Sequence, residues 1–405
     1  MSVLTLTTVD NMASVFRNQG QYDKALKYHG RALAGYEKSL GVDHPDTLIT
    51  FNNMALVFRN QGQHDKALKY YERALAGYEK SLGVEHPDTL TTVSNMASVF
   101  NRQGQYYKAL EYYEQALAGR EKSLGVDHPN TSTTVNNMAL VFNNQGQYDK
   151  ALKYHGRALA GYEKSLGVDH PHTLTTVNNM ALVFNNQGQY DKALKYHGQA
   201  LAGYEKSLGV DHPHTLTTVN NMASVCNNQG QYDKALEYYE RALAGREKSL
   251  GVDHPDTLTT VDNMASVFRN QGQYDKALKY HGRTLAGYEK SLGVDHPDTL
   301  ITVNNMALVF SNQGQHDKAL EYYERALAGY EKSLGVDHSD TLITVNNMAL
   351  VFSNQGQYDK ALKYYERALA GIEKSLGVDH PNTLTTVASM AFVFDTQGHY
   401  DKALK

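Results

Sequence analysis

Between His44 and Gly83 the chain reads HPDTLITFNNMALVFRNQGQHDKALKYYERALAGYEKSLG, and its apolar positions fall into two stripes. Leu48, Phe51, Met54, Ala55 and Phe58 recur at spacings of three and four, the signature of an amphipathic helix, helix A. Pro45 suits its first turn, where a missing N–H costs nothing, Asp46 favours the positive end of the helix dipole, and His44 is the expected cap. Gln61-Gly62 should end helix A, because glycine supplies the backbone conformation of a tight turn. Ala67, Leu68, Tyr71, Ala74, Leu75, Tyr78 and Leu82 then form the stripe of a second helix, helix B, which closes at Gly83.

The Gly-Gln-Tyr tripeptide, or a variant of it, returns every 42 residues, with its glycine at Gly20, Gly62, Gly104, Gly146, Gly188, Gly230, Gly272, Gly314, Gly356 and Gly398. A fixed period over the whole chain makes length a count of repeats rather than of globular domains. Neither helix of a hairpin can bury its stripe alone, so neighbouring hairpins must stack and share a core. The expected fold is all-α, an α-solenoid formed by residues 1–405 as one array, with nine full hairpins, a truncated tenth and no second domain. A glycine in the middle of every helix B, such as Gly77, Gly161 and Gly329, costs about 0.5–1 kcal/mol relative to alanine. Close approach of an adjacent helix is the expected compensation.

Ala55, Gly62, the aromatic or histidine at position 64, Ala67, Tyr71 and Ala74 sit where the tetratricopeptide (TPR) pattern places its small and aromatic packing residues. The unit exceeds the usual 34-residue repeat of that family because helix B runs on through Glu79-Lys80-Ser81-Leu82. With NNMA in helix A and EKSLGVDHPDT at the junction, it resembles the TPR region of kinesin light chains and of nephrocystin-type relatives. The resemblance covers essentially the whole chain and implies a non-enzymatic scaffold that binds extended peptide segments in a concave groove. Kinesin heavy chain as a partner and a cytoplasmic, cytoskeleton-associated location follow from the resemblance alone. The heptad coiled coil that engages the heavy chain is missing from this sequence. The alternatives are a TPR piece of a larger signalling or ciliary protein of the nephrocystin type, or a purely structural, self-associating array.

Residues 5–90 recur as 257–342 with six differences in 86 positions, the mark of block duplication. The abrupt ends, with no His-Pro before the first helix A and a tenth helix B that stops early, suggest a piece of a longer chain.

A formal charge of −4 and a pI near 6.5 give no basic footprint for nucleic acid or an anionic membrane. The single cysteine, Cys226, stands where most copies carry phenylalanine and reads as a buried apolar side chain, so there is no disulfide framework. The repeated Asp-His-Pro element could be taken for a catalytic pair, but an enzyme needs one assembled site rather than nine similar loops, and helix capping explains it. Histidines in successive loops lie too far apart to share a metal ion, leaving His170 with His172 and His212 with His214 as the close pairs. No cofactor is expected. A second class of histidine, at His29, His155, His197 and His281, replaces Tyr-Glu by His-Gly inside helix B and reads as a repacked, partly polar core position.

If Val9, Met12, Ala13 and Phe16 face the core, positions 7, 10, 11, 14, 17 and 18 turn to the other side of helix A. They give a ladder of asparagines at Asn11, Asn53, Asn95, Asn137, Asn179, Asn221, Asn263, Asn305 and Asn347. Asparagine is a mediocre helix former. Its amide can clasp the backbone of an extended peptide, or it can pair with a neighbouring helix. Next to it stand Leu56, Leu140, Leu182, Leu308, Leu350 and Phe392, candidate anchors for a ligand or packing for the next repeat. Arg17, Arg59, Arg102 and Arg269 add positive charge that favours acidic peptides.

Overall fold

The computed structural model describes residues 3–403. Nineteen helices of 16–19 residues and a four-residue turn, Tyr400–Ala403, account for the ordered elements, and there is no strand among the described residues. The chain divides into two compact units, residues 1–260 and 261–405, each built from the same hairpin.

Repeat 2 shows how the residues make that hairpin. Its helix A runs Pro45–Asn60 and its helix B His64–Leu82. His44 is the cap, its Nδ1 accepting from the Asp46 N–H at 3.2 Å with Pro45 in the first turn. Gly62 takes φ +70° in the turn between the helices, and Gly83 takes φ +90° after helix B. Leu48, Met54, Ala55, Phe58, Ala67, Tyr71, Ala74 and Tyr78 are buried as the stripes predict, while Leu82 is exposed. Phe58 meets Tyr70 with ring centroids 5.0 Å apart, and the same aromatic pair recurs along the chain.

In helix A three buried positions lie outside the predicted stripe. Thr47 and Thr50 are fully buried because their hydroxyls find backbone acceptors, Gly41 O at 2.8 Å and Asp46 O at 2.9 Å. Val57 is buried because it faces the preceding hairpin rather than its own; its equivalents Val183 and Val225 pack against Phe142 with Ala151 and against Phe184 with Ala193. This valine is the stitch that makes one core continue into the next.

The mid-helix glycines have the expected compensation. A Cβ on Gly77 would collide with the Leu48 side chain, and the corresponding leucine presses on Gly119, Gly203, Gly245, Gly329 and Gly371. Only glycine lets helix A approach so closely. Cys226 is fully buried, and burial pushes its thiol above the ordinary value.

The two helix layers are linked by bridges of different reach. Successive A helices touch, and short side chains join them: Asn52 to Thr92 at 2.9 Å, Asn144 to Asn101 at 3.2 Å and Asn186 to Asn143 at 3.1 Å in the first unit, Thr344 to Asn304 at 3.1 Å in the second. No pair of B helices approaches as closely among the described residues, and long side chains span the distance there, as in Arg157 to Glu121 and Arg325 to Glu289. A layer held close and a layer held apart curve each unit with helix A on the inside. In the first unit the curvature brings repeat 1 to the start of repeat 7, where His254 Nε2 lies 3.2 Å from the Asn18 carbonyl.

The glycine positions separate two outcomes. Gly77→Ala should lower the urea midpoint, at a cost of about 1–3 kcal/mol from overpacking against Leu48. Gly156→Ala, where an added Cβ meets nothing within 4 Å, should raise it by about 0.5–1 kcal/mol through helix propensity.

Candidate functional site

The inner face of each unit is built by the second half of helix A. Helix A turns roughly 100° per residue, so positions 11, 14, 17 and 18 share one side. In the first unit this side carries Asn53, Asn95, Asn137, Asn179 and Asn221, all half-buried, with Leu140 and Leu182 half-buried beside them. In the second it carries Asn263, Asn305 and Asn347, with Leu308 half-buried and Leu350 exposed.

Position 10 does not belong to that surface. Asp10, Asn136, Asn178, Asn220 and Asp262 are buried, because this position turns toward helix B of its own hairpin. There it meets the second histidine class: His29 Nδ1–H donates to Asp10 Oδ1 at 2.6 Å, His281 to Asp262 at 2.7 Å, His155 to Asn136 at 2.9 Å and His197 to Asn178 at 2.7 Å. All four rings are fully buried, and their Nε2 atoms have no hydrogen-bond partner. The repeats with His carry Asp or Asn 19 residues earlier, but so do repeats with Tyr, at Asn52, Asn220, Asn304 and Asn346, so the pair shows only in the structure.

The carboxylates do a second job. Asn53 Nδ2 donates to Asp10 Oδ2 and Asn305 Nδ2 to Asp262 Oδ2, each at 3.0 Å. These two ladder amides are thereby oriented with the nitrogen inward. Among the described residues no such bond joins Asn95, Asn137, Asn179, Asn221, Asn263 or Asn347 to a neighbouring helix.

In repeats with Tyr in place of His, the phenol fills the slot. Burial raises Tyr113 to about 12 against a hydrogen bond from Ser98, and Tyr71 is also raised by burial, opposed by Arg59, Arg17 and Arg102. The Tyr71 hydroxyl is buried without a partner. Arg59 donates to Ser98 Oγ at 3.3 Å and to Asn60 Oδ1 at 3.4 Å, and Arg17 donates to Asn18 Oδ1 at 3.2 Å. Burial lowers the Arg59 guanidinium from its ordinary value; Tyr71 opposes this, while Arg102 and Arg17 add to it by repulsion. Three cations are thus drawn together on repeats 1 to 3. Arg269 is placed alone in the second unit, lowered by burial and opposed by Tyr323 and Asp262.

The loop histidines are occupied as caps. His170 and His212 accept from the N–H groups of His172 and His214 at 3.2 Å, and the latter two rings stack on Tyr162 and Tyr204 with centroids 5.5 Å apart. Among the described residues no group of three or more His, Cys, Asp or Glu side chains is arranged to hold a metal ion. No described helix is long and apolar enough to cross a membrane.

The tetratricopeptide repeat model matches residues 4–80, 46–122, 88–164, 131–206, 172–248, 214–269, 258–332 and 340–405. The chain belongs to the tetratricopeptide repeat family. Among solved structures, this TPR chain is similar to the nearly identical TPR-like repeats of a putative kinesin light chain from Podosopora anserina, at 25% identity and a TM-score of 0.42 over 51% of this chain and 98% of that one. It is similar to BtubC (BKLC) from P. vanneervenii at 22% identity and a TM-score of 0.43, covering 61% and 92%. A Rap protein complexed with Competence and Sporulation Factor shares the fold at 14% identity, with a TM-score of 0.61 over 92% and 98%. A search of curated proteins finds no match.

The buried histidines can be followed directly. Burial pulls His155 and His197 from 6.5 down to about 4. The folded state therefore disfavours their protonation. Their contribution to stability is complete above about pH 6.5 and falls as the pH drops toward about 4, where the unfolded chain binds protons and the folded chain does not. Imidazole NMR signals of these two residues should hold still from pH 7.5 to 5, and the urea midpoint should fall over that range. Substituting both by phenylalanine should flatten the loss.

Proposed function

We propose that this TPR array is a non-catalytic scaffold whose inner face binds extended peptide segments of other proteins, with acidic residues favoured at repeats 1 to 3. The observation that carries the reading is the asparagine ladder. Six half-buried amides of the 42-residue ladder each carry a donor and an acceptor, and among the described residues none is bonded to a neighbouring helix. An extended peptide offers a donor and an acceptor at each residue, so a row of such amides can satisfy its backbone. The leucines beside them, Leu140 with Leu182 in one unit and Leu308 with Leu350 in the other, supply apolar anchors, and Arg17, Arg59 and Arg102 supply charge for a carboxylate.

The likeness to kinesin light chains suggests cargo or adaptor binding as the setting, with a heavy-chain partner and a cytoplasmic location as its corollaries. A TPR portion of a larger nephrocystin-type protein would use the same surface.

The test is Leu140→Asp with Leu182→Asp, read by circular dichroism and by a peptide array. Retained helicity with binding weakened about tenfold or more supports the groove. Loss of folding would show that these leucines are core and overturn it. Arg59→Ser, which copies the Ser311 of the sister block, should weaken acidic peptides selectively and reduce the salt dependence of their binding.

A further inference from the structure

The helix B layer does not keep one rule throughout: Arg73 pairs with Asp43 instead of Glu37, and Gln115 and Gln199 stand where other copies carry arginine. In the first unit Arg157 pairs with Glu121 of the preceding helix B and Arg241 with Glu205; in the second Arg325 pairs with Glu289 and Arg367 with Glu331. The same 36-residue step in repeat 5 sets Gln199 against Glu163. A glutamine is too short and carries no charge, and among the described residues no hydrogen bond or ion pair reaches the Glu163 carboxylate. Repeat 5 is also the one copy that combines glycine and glutamine here, as His197-Gly198-Gln199; the other copies read His-Gly-Arg, Tyr-Glu-Arg or Tyr-Glu-Gln.

A cleft of about 380 Å³ opens at this point, between helix B of repeat 4, the loop after it and both helices of repeat 5. Glu163 and Gln199 stand on its wall, and Leu174 and Val177 line its apolar side. Val177 is half-buried, whereas the equivalent Val93, Val135 and Val219 in repeats 3, 4 and 6 are at most 1% exposed. Lys206 also lines the cleft, but its ammonium is held by Asp169 at 2.7 Å and leaves Glu163 uncompensated. The cleft shares no residue with the asparagine ladder.

We infer that this cleft receives an arginine side chain from a partner polypeptide, whose guanidinium pairs with Glu163 and whose methylenes cover Val177. The sister repeats supply the chemistry: at four joints a guanidinium occupies this place from within the chain, and planar, bidentate pairing with a carboxylate is what arginine offers over lysine. A charged head on an apolar stem suits a cleft with one acidic wall and one aliphatic wall.

The probe is Nα-acetyl-arginine amide, titrated into the full chain while the methyl NMR signals of Val177 and Leu174 are followed, with the citrulline analogue as its uncharged counterpart. Saturable shifts with the arginine compound and at least about tenfold weaker binding of the citrulline compound are expected. Glu163→Gln should remove the response. Gln199→Arg, which restores the residue found in the sister repeats and so retains the fold, should block it by filling the cleft. Equal response to both compounds, or binding unchanged in either variant, would overturn the inference. Concentration-dependent association of the native chain that Gln199→Arg abolishes in sedimentation velocity would also overturn it, by identifying a second copy of the chain as the source of the arginine.

Discussion

Everything on the inner face depends on a mismatch of reach between the two helix layers. Amide and hydroxyl side chains of two or three heavy-atom bonds join one helix A to the next, and they can bond only if the backbones come close. Arginine and glutamate, extended toward each other, tolerate a wider gap between B helices. Stability comes chiefly from the buried alanines, tyrosines and valines, since exposed ion pairs contribute little. The bridges matter because they set the angle at which one hairpin meets the next, and so decide which side of helix A becomes a groove.

Close approach has a second source inside each hairpin. A glycine in the middle of helix B weakens that helix taken alone, yet it is the place where the first-turn leucine of helix A lies. Where the leucine is replaced, in repeat 4, Ser132 takes the position against Gly161. The smaller side chain leaves the approach intact, which shows that the glycine, rather than the leucine, is the fixed partner of the pair.

Much of the fold was legible in residues 44–83 alone: the cap at His44, the turn at Gly62, the end at Gly83 and most of both stripes have counterparts in the structure. The exceptions share a cause. Val57 looks outward from its own hairpin and is buried only by the one before it, and Thr47 and Thr50 are buried only because backbone carbonyls accept their hydroxyls. A helical wheel describes a helix against a single partner, and here each helix has several. Position 10 failed for the same reason, since grouping it with the ladder ignored helix B behind it, where a histidine or tyrosine waits. The Asp10 to Asn53 bond adds that the ladder is not uniform, which the identical letters at 42-residue intervals conceal.

The side-chain bridges between hairpins connect residues separated by fixed intervals, 36 for arginine to glutamate, 40 for threonine to asparagine and 43 for the asparagine pairs. Excising any one whole unit brings the residues on either side into the same spacing, so the surviving side chains meet partners of nearly the same kind. The joint is a standard coupling, and the number of units can grow or shrink by unequal exchange of genetic material without any new interface having to be invented. The block that recurs after six repeats fits such a history.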